Sequence, residues 1–222
     1  MKPAVIFDMD GVLVASGPAH AASWKLVARK HGLSVSDDDF RRTFGRPSRD
    51  IIRILWSAQP SDDEIRGIDD EKEATYRELV RGMVPLTIGA REVLHGLRSA
   101  GHALALATSG PRENVDLVLD ETGLRPQFAA IVTGFDVRHG KPAPDCFTLA
   151  AERLGRQPAE CVVIEDAPVG VEAGRAAEMT VIGFAGEHPA ERLRQAGAHA
   201  VVERLGELTP ELISTLARAA VE

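Results

Sequence analysis

Four short groups of polar residues along this chain could do chemistry together. They are Asp8-Met9-Asp10-Gly11, Thr108-Ser109-Gly110, Lys141-Pro142-Ala143-Pro144-Asp145 and Glu165-Asp166. Several carboxylates sharing one crevice repel and raise one another's pKa values unless a cation holds them, so a metal is implied. No His or Cys belongs to the set, which predicts an all-oxygen site for a hard ion, and Mg²⁺ is the natural candidate. The Asp-x-Asp spacing suits a division of labour. Asp8 can attack phosphorus and form an aspartyl-phosphate, while Asp10, past the turn, can protonate the leaving oxygen and later deprotonate water. Thr108 can donate to a phosphoryl oxygen, helped by amides that open a helix after Pro111. Lys141 would neutralise the charge gathered on nucleophile and phosphate, the electrostatic work that dominates phosphoryl transfer.

The elements that must bring these groups together are legible in the apolar pattern. Short Val/Ile-rich runs at 4–7, 103–107, 129–132, 161–164 and 180–184, with a shorter one at 200–202, alternate with helical periods. That alternation predicts an α/β fold with a Rossmann-like parallel sheet and helices on both faces, since the runs are apolar throughout. Val93, Leu94 and Leu97 mark one helix stopping at Gly101; Phe147, Ala150, Ala151 and Leu154 mark another stopping at Gly155. Each polar group follows one of the strands, and parallel strands end on one shared edge.

Residues 15–84 break the rhythm. They carry helical patterns, such as Trp24, Val27, Ala28 and His31 before Gly32, and an acidic stretch from Ser61 to Glu73, with no convincing strand. The span is therefore expected to be a helical cap inserted into a core made of 1–14 and 85–222. It would sit over the strand ends where α/β proteins bind ligands.

The chain has 222 residues, 44% of them hydrophobic and 27% charged, enough for a real core. Its net charge of −7 argues against a nucleic-acid binder, which presents a basic face. The N-terminal apolar run is too short for a membrane helix or signal peptide, so a cytoplasmic protein without a membrane partner is expected. Cys146 and Cys161 lie in apolar contexts and read as buried thiols without a chemical role.

Taken in order, V-I-F-D-M-D-G-V, A-T-S-G, G-K-P-A-P-D and V-V-I-E-D-A-P-V-G resemble the four motifs of the haloacid dehalogenase superfamily. The resemblance implies Asp8 as nucleophile and metal ligand, Asp10 as acid/base and backbone-carbonyl ligand, and Thr108 and Lys141 as phosphate stabilisers. It implies Asp166 as a metal ligand, with Glu165 either a ligand through water or a group behind the ligands. Ser109 joins Thr108 in the substrate-binding set. The insertion resembles the helical cap of the subfamily of β-phosphoglucomutases, phosphoglycolate phosphatases and small sugar-phosphate phosphatases.

Within the cap, Gly45-Arg46-Pro47-Ser48-Arg49 resembles a substrate-facing loop. Arg49 is the preferred grip on the substrate's non-reacting part, and Arg46 is read as surface. Lys72 is placed either reaching inward to substrate or exposed on a helix. His20 is placed against substrate or the acid/base, or as a structural histidine at the cap entrance; Trp24 is placed in the core. Arg112 and Asn114 either approach substrate or begin a helix. Where many relatives carry acidic residues after the first motif, this chain reads Ala15-Ser16-Gly17-Pro18, at the first hinge; Met83 to Leu86 would form the return hinge. The expected activity is hydrolysis of a small phosphorylated metabolite, a sugar phosphate foremost, by a monomer or homodimer. The alternatives are a β-phosphoglucomutase-like mutase and, from another class, a receiver-like phosphorylation switch. Asp10 and Asp166 weigh against a dehalogenase, which needs neither metal nor an acid at the second aspartate.

Overall fold

A computed structural model describes residues 2–56 and 60–219. Six parallel strands form one sheet in the order β3-β2-β1-β4-β5-β6: β1 Ala4–Phe7, β2 Leu104–Ala107, β3 Ala130–Val132, β4 Cys161–Glu165, β5 Thr180–Phe184 and β6 Ala200–Val202. The strands lie where the apolar runs predict, with small shifts at their ends. β2 and β3 each begin one residue later than the pattern suggests. β4 runs one residue further, because Glu165 stays in register with Gly183 of β5.

Alternation along β1 sorts its side chains between two cores. Val5 and Phe7 pack with helices α5 (Ala90–Ser99), α6 (Arg112–Thr122) and α10 (Pro210–Ala219). Ala4 and Ile6 pack with α7 (Asp145–Leu154), α8 (Pro168–Ala176) and Leu193 of α9 (Ala190–Gln195). Burial on both faces explains why the strands read as continuous apolar runs.

After β1 the chain leaves the sheet for four helices: α1 Gly17–Lys30, α2 Asp37–Thr43, α3 Ser48–Leu55 and α4 Asp62–Val80. These gather on a separate apolar cluster that includes Trp24, Val27, Phe40, Ile52, Trp56 and Ile65. The acidic stretch is the start of α4. Ser61 caps it reciprocally with Glu64, and Asp62, Asp63 and Glu64 occupy the first turn, where negative charge complements the helix dipole. The two connections to the sheet are tied to each other: the Ala15 amide donates to the Pro85 carbonyl at 2.8 Å, and the Thr87 amide to the Leu13 carbonyl at 3.0 Å.

The chain builds the sheet outward from β1 to β3 and then returns to place β4 on the other side of β1. A ligand crevice is expected beyond the strand ends at such a switch point, and Asp8, Asp10, Glu165 and Asp166 lie there.

Candidate active site

Asp8 directly follows β1, with its amide held by the Ile164 carbonyl at 3.0 Å. Lys141 Nζ reaches it from the loop before α7, at 2.5 Å from Asp8 Oδ1 and 2.7 Å from Glu165 Oε1. All three side chains are buried. Burial pushes the Asp8 carboxyl up to about 8, against the opposing pull of Lys141 and with Glu165 adding to the rise. Burial also works against the Lys141 ammonium, but Asp8 and Glu165 outweigh it and hold its pKa well above the ordinary value.

Asp166 is almost wholly buried; burial, then Glu165 and Asp8, raise its pKa well above the ordinary value. Its Oδ2 has no hydrogen-bond partner among the described residues. Gly11, at φ +81°, allows the chain to turn beside it, and a side chain there would land on the Asp166 carboxylate. An orphaned carboxylate oxygen beside a second buried carboxylate is an arrangement that a cation resolves, so the residues fit a hard divalent ion. Among the described residues no three His, Cys, Asp or Glu side chains form a ready-made cage. This suits Mg²⁺, which binds one or two carboxylates and completes its shell with water and substrate oxygens.

Glu165 lines the same recess as Asp8 and Asp166, but both of its oxygens are engaged. Its Oε1 accepts from Lys141, and its Oε2 accepts from the Ala167 amide at 2.7 Å, with Gly170 leaving room for the carboxylate. Of the two roles the sequence left open for it, the geometry favours the one behind the ligands, positioning Lys141.

The Asp10 carboxylate lies between the recess and the inserted helices, its Oδ2 near Gly110. Its Oδ1 accepts from Ser16 Oγ at 2.6 Å and lies 3.1 Å from His20 Nε2 and 3.5 Å from the Tyr76 hydroxyl. Lys72 Nζ is 2.9 Å from His20 Nδ1. An ammonium can only donate, so Nδ1 accepts and Nε2 carries the proton given to Asp10. The His20 ring lies flat on Tyr76, with centroids 3.9 Å apart and planes 1° apart. Burial alone would raise the Asp10 pKa, but His20, Ser16 and Lys72 outweigh it and bring it below the ordinary value.

Lys72 is therefore no exposed helix lysine: it is 2% exposed and also bonds Glu73 at 2.8 Å. Glu73 in turn accepts from Ser48 Oγ at 2.7 Å and from Asn114 Nδ2 of α6 at 2.6 Å. Asn114 lies in the first turn of α6, as one of its two readings had it, and does not line the cavity; it is fully buried and also accepts from Arg77 Nη1 at 2.9 Å. Sequence reasoning missed Ser16, Glu73 and Tyr76. An acidic and an aromatic residue one and four positions after a candidate lysine were the available signal.

Thr108 and Ser109 follow β2. Thr108 Oγ1 accepts from the Gly110 amide at 3.1 Å, and Ser109 Oγ is buried with no partner, free to donate to a bound anion. Both line a recess of about 50 Å³ that also holds Asp8, Asp10, Lys141, Asp166, His20, Lys72 and the half-buried Arg46, which is therefore more than surface. The recess opens through Thr108, Ser109 and Lys141 into a cleft of about 600 Å³ between α3, α4 and the loop after β3. Arg49 lies in this outer cleft, its guanidinium 5.4 Å from the centre of the Phe135 ring and its Nε 3.9 Å from Asp69. Arg112 also lines this cleft, with Asp136 at 3.6 Å. Trp24 is core, with the Lys72 ammonium 5.2 Å over its ring. Cys146 and Cys161 are buried free thiols, each pushed up to about 11 by burial.

This sheet, with a carboxylate pair, a lysine and a threonine at its strand ends, defines a phosphoryl-handling α/β hydrolase. The family model for haloacid dehalogenase-like hydrolases matches residues 2–178, and the chain belongs to that family. It is 34% identical to a phosphorylated carbohydrates phosphatase of Thermotoga maritima, over 90% of this chain and 94% of that one. It is 31% identical to a β-phosphoglucomutase of Bacillus subtilis, over 95% and 93%. Among solved structures, a HAD hydrolase of family IA, variant 3, from Entamoeba histolytica superimposes with a TM-score of 0.89 at 29% identity, covering 98% of this chain and all of that one. The chain is thus an enzyme, a phosphoric monoester hydrolase of the haloacid dehalogenase-like family. No helix among the described residues is long and apolar enough to cross a membrane.

Proposed function

We propose that the chain hydrolyses a small phosphorylated metabolite, a sugar phosphate foremost, through an aspartyl-phosphate on Asp8, and that residues 15–84 act as a cap over the site. The observation that carries this is Asp8 buried between Lys141 and Asp166 at the floor of a recess just large enough for a phosphoryl group. Asp8, Asp166 and the Asp10 backbone carbonyl would hold Mg²⁺, which when bound neutralises the charge on nucleophile and phosphoryl oxygens.

Lys141, anchored by Glu165, pairs with Asp8 and with the incoming phosphoryl group. Thr108 and Ser109 donate to its oxygens. Asp8 attacks phosphorus, and Asp10 delivers a proton to the departing alkoxide. In the geometry described, Asp10 is held ionised by Ser16 and His20, the form required for the second step, where it takes a proton from water attacking the phospho-aspartate. Asp10 already lines the recess while its Oδ1 is held by Ser16 and His20, so Ser16, His20 and Lys72 govern its proton affinity. His20 and Lys72 thus act on the acid/base rather than on the substrate's distal part.

The similarity to a β-phosphoglucomutase keeps one rival in view, in which a second sugar hydroxyl replaces water. A receiver-like switch would need no such cleft beside its phosphoacceptor. Phosphate release from a panel of phosphorylated metabolites with Mg²⁺, with EDTA and with Asp8→Asn separates these readings. Hydrolysis abolished by EDTA and by Asp8→Asn is expected. Isomerisation of β-glucose 1-phosphate in the presence of a bisphosphate primer, without inorganic phosphate, would sink the phosphatase reading.

A further inference from the structure

The recess of about 50 Å³ accommodates a group of a few heavy atoms, yet it opens into a cleft of about 600 Å³. That second volume falls within the ~300–1,000 Å³ of sites that enclose whole organic ligands. Three features of its wall are only loosely joined to one another. Phe135, in the loop after β3, is 63% exposed even with Arg49 above it. Asp69 of α4 is 15% exposed and receives no hydrogen bond among the described residues, its nearest cation being Arg49 Nε at 3.9 Å. Leaving a largely buried carboxylate without donors is costly. Arg49, between the two, keeps 45% of its side chain exposed.

An aromatic face beside a carboxylate and a guanidinium matches a hydroxylated ring. The ring's C–H face packs on the aromatic, while neighbouring hydroxyls donate to the carboxylate and accept from the guanidinium. A second anionic group fits less well. Other arginines of the cleft are committed elsewhere: Arg53 to Asp50 and Asp62, Arg77 to Asn114, Arg112 to Asp136. Arg138 remains, at the exposed rim.

We propose that Phe135, Arg49 and Asp69 form a subsite for a second, unphosphorylated polyol ring, so that the preferred substrate is a two-ring sugar phosphate such as a disaccharide monophosphate. This rests on the phosphatase reading above and narrows it. Binding of a remote ring can be used to assemble the closed site, so it raises kcat/KM and not affinity alone.

The test compares kcat/KM for α- and β-linked disaccharide monophosphates with that for glucose 6-phosphate and p-nitrophenyl phosphate, using the full chain with Mg²⁺. A preference of about tenfold or more for at least one disaccharide phosphate over glucose 6-phosphate is expected from two hydrogen bonds and one ring contact. Phe135→Ala and Asp69→Ala should each pull that ratio towards one, in kcat as well as in KM. Glucose 6-phosphate turned over as efficiently as every disaccharide phosphate, or a ratio that neither variant moves, overturns the subsite while the phosphatase reading stands. Absence of Asp8-dependent phosphate release from every ester tested overturns both.

Discussion

Replacing Asn114 by alanine probes how the inserted helices are fastened to the sheet. This one amide joins α6 of the core to two residues one turn apart on α4, Glu73 at 2.6 Å and Arg77 at 2.9 Å. Glu73 is 7% exposed, and its pKa stays below the ordinary value because Lys72, His20 and Ser48 outweigh the effect of burial. A hydrogen bond to a buried charge contributes about 1.5–3 kcal/mol, and the bond from the half-buried Arg77 about 1 kcal/mol. Water refilling the space recovers part, so the net loss should be about 2–3 kcal/mol. Both bonds cross between α4 and α6, so the loss falls on the docked arrangement and favours an undocked one by roughly 30- to 150-fold. Where docking and global unfolding are coupled, Tm should drop by about 5–10 °C for a chain of this size. Thermal and urea unfolding measure the stability, steady-state kinetics the rise in KM, and hydrogen exchange the loosening of the amides of residues 82–86. A double-mutant cycle with Glu73→Gln isolates the pair, and a coupling of at least about 1 kcal/mol is expected. An Asn114→Ala protein within about 0.5 kcal/mol of the parent, with unchanged KM and no coupling, would refute the reasoning.

Asp69 is pushed up to about 6, by burial and by Glu73, against the pull of Lys72 and Arg49 and with exposed Asp70 adding to the rise. A carboxyl whose folded pKa exceeds its unfolded one loses stability as pH climbs from about 4 to 6 and carries the full penalty above that. Asp69→Asn should therefore stabilise the protein by about 2 kcal/mol at pH 8 and by little at pH 4, read from Tm across pH; a pH-independent difference would contradict this. Gly11→Ala places a methyl group on the Asp166 carboxylate at a backbone φ of +81°. It should cost about 1–2 kcal/mol in backbone strain and abolish turnover; an active, stable variant would remove the case for Gly11 as a spacer. Mg²⁺ should raise Tm in the parent, because it relieves the repulsion of two buried carboxylates. The rise should shrink in Asp166→Asn, and differential scanning fluorimetry with and without EDTA checks it.

Much of this molecule is written locally. The central strands are runs of apolar residues buried on both faces, and Asp8, Thr108 and Asp166 each directly follow a strand, so chain direction alone gathers them on one edge. Lys141 was the longer reach, readable because its motif travels with the other three. The inserted helices were legible as helices from their period and caps, but not in the direction of their side chains. Lys72 and Arg49 were both candidate cations for the substrate, the first on a helix and the second in a loop. Packing of α1 on α4 buries the first against His20, while α3 leaves the second at the cleft beside Phe135. The Lys141–Glu165 bond, the Ser16–Asp10 bond and the Glu73–Asn114 fastening join residues between 6 and 41 positions apart. Sequence by itself determined the sheet and which polar groups stand at its strand ends, because periodicity and strand-end position are properties of a few consecutive residues. Tertiary structure decided which charges face one another across the inserted helices, because that depends on how separate helices dock and no local pattern encodes it.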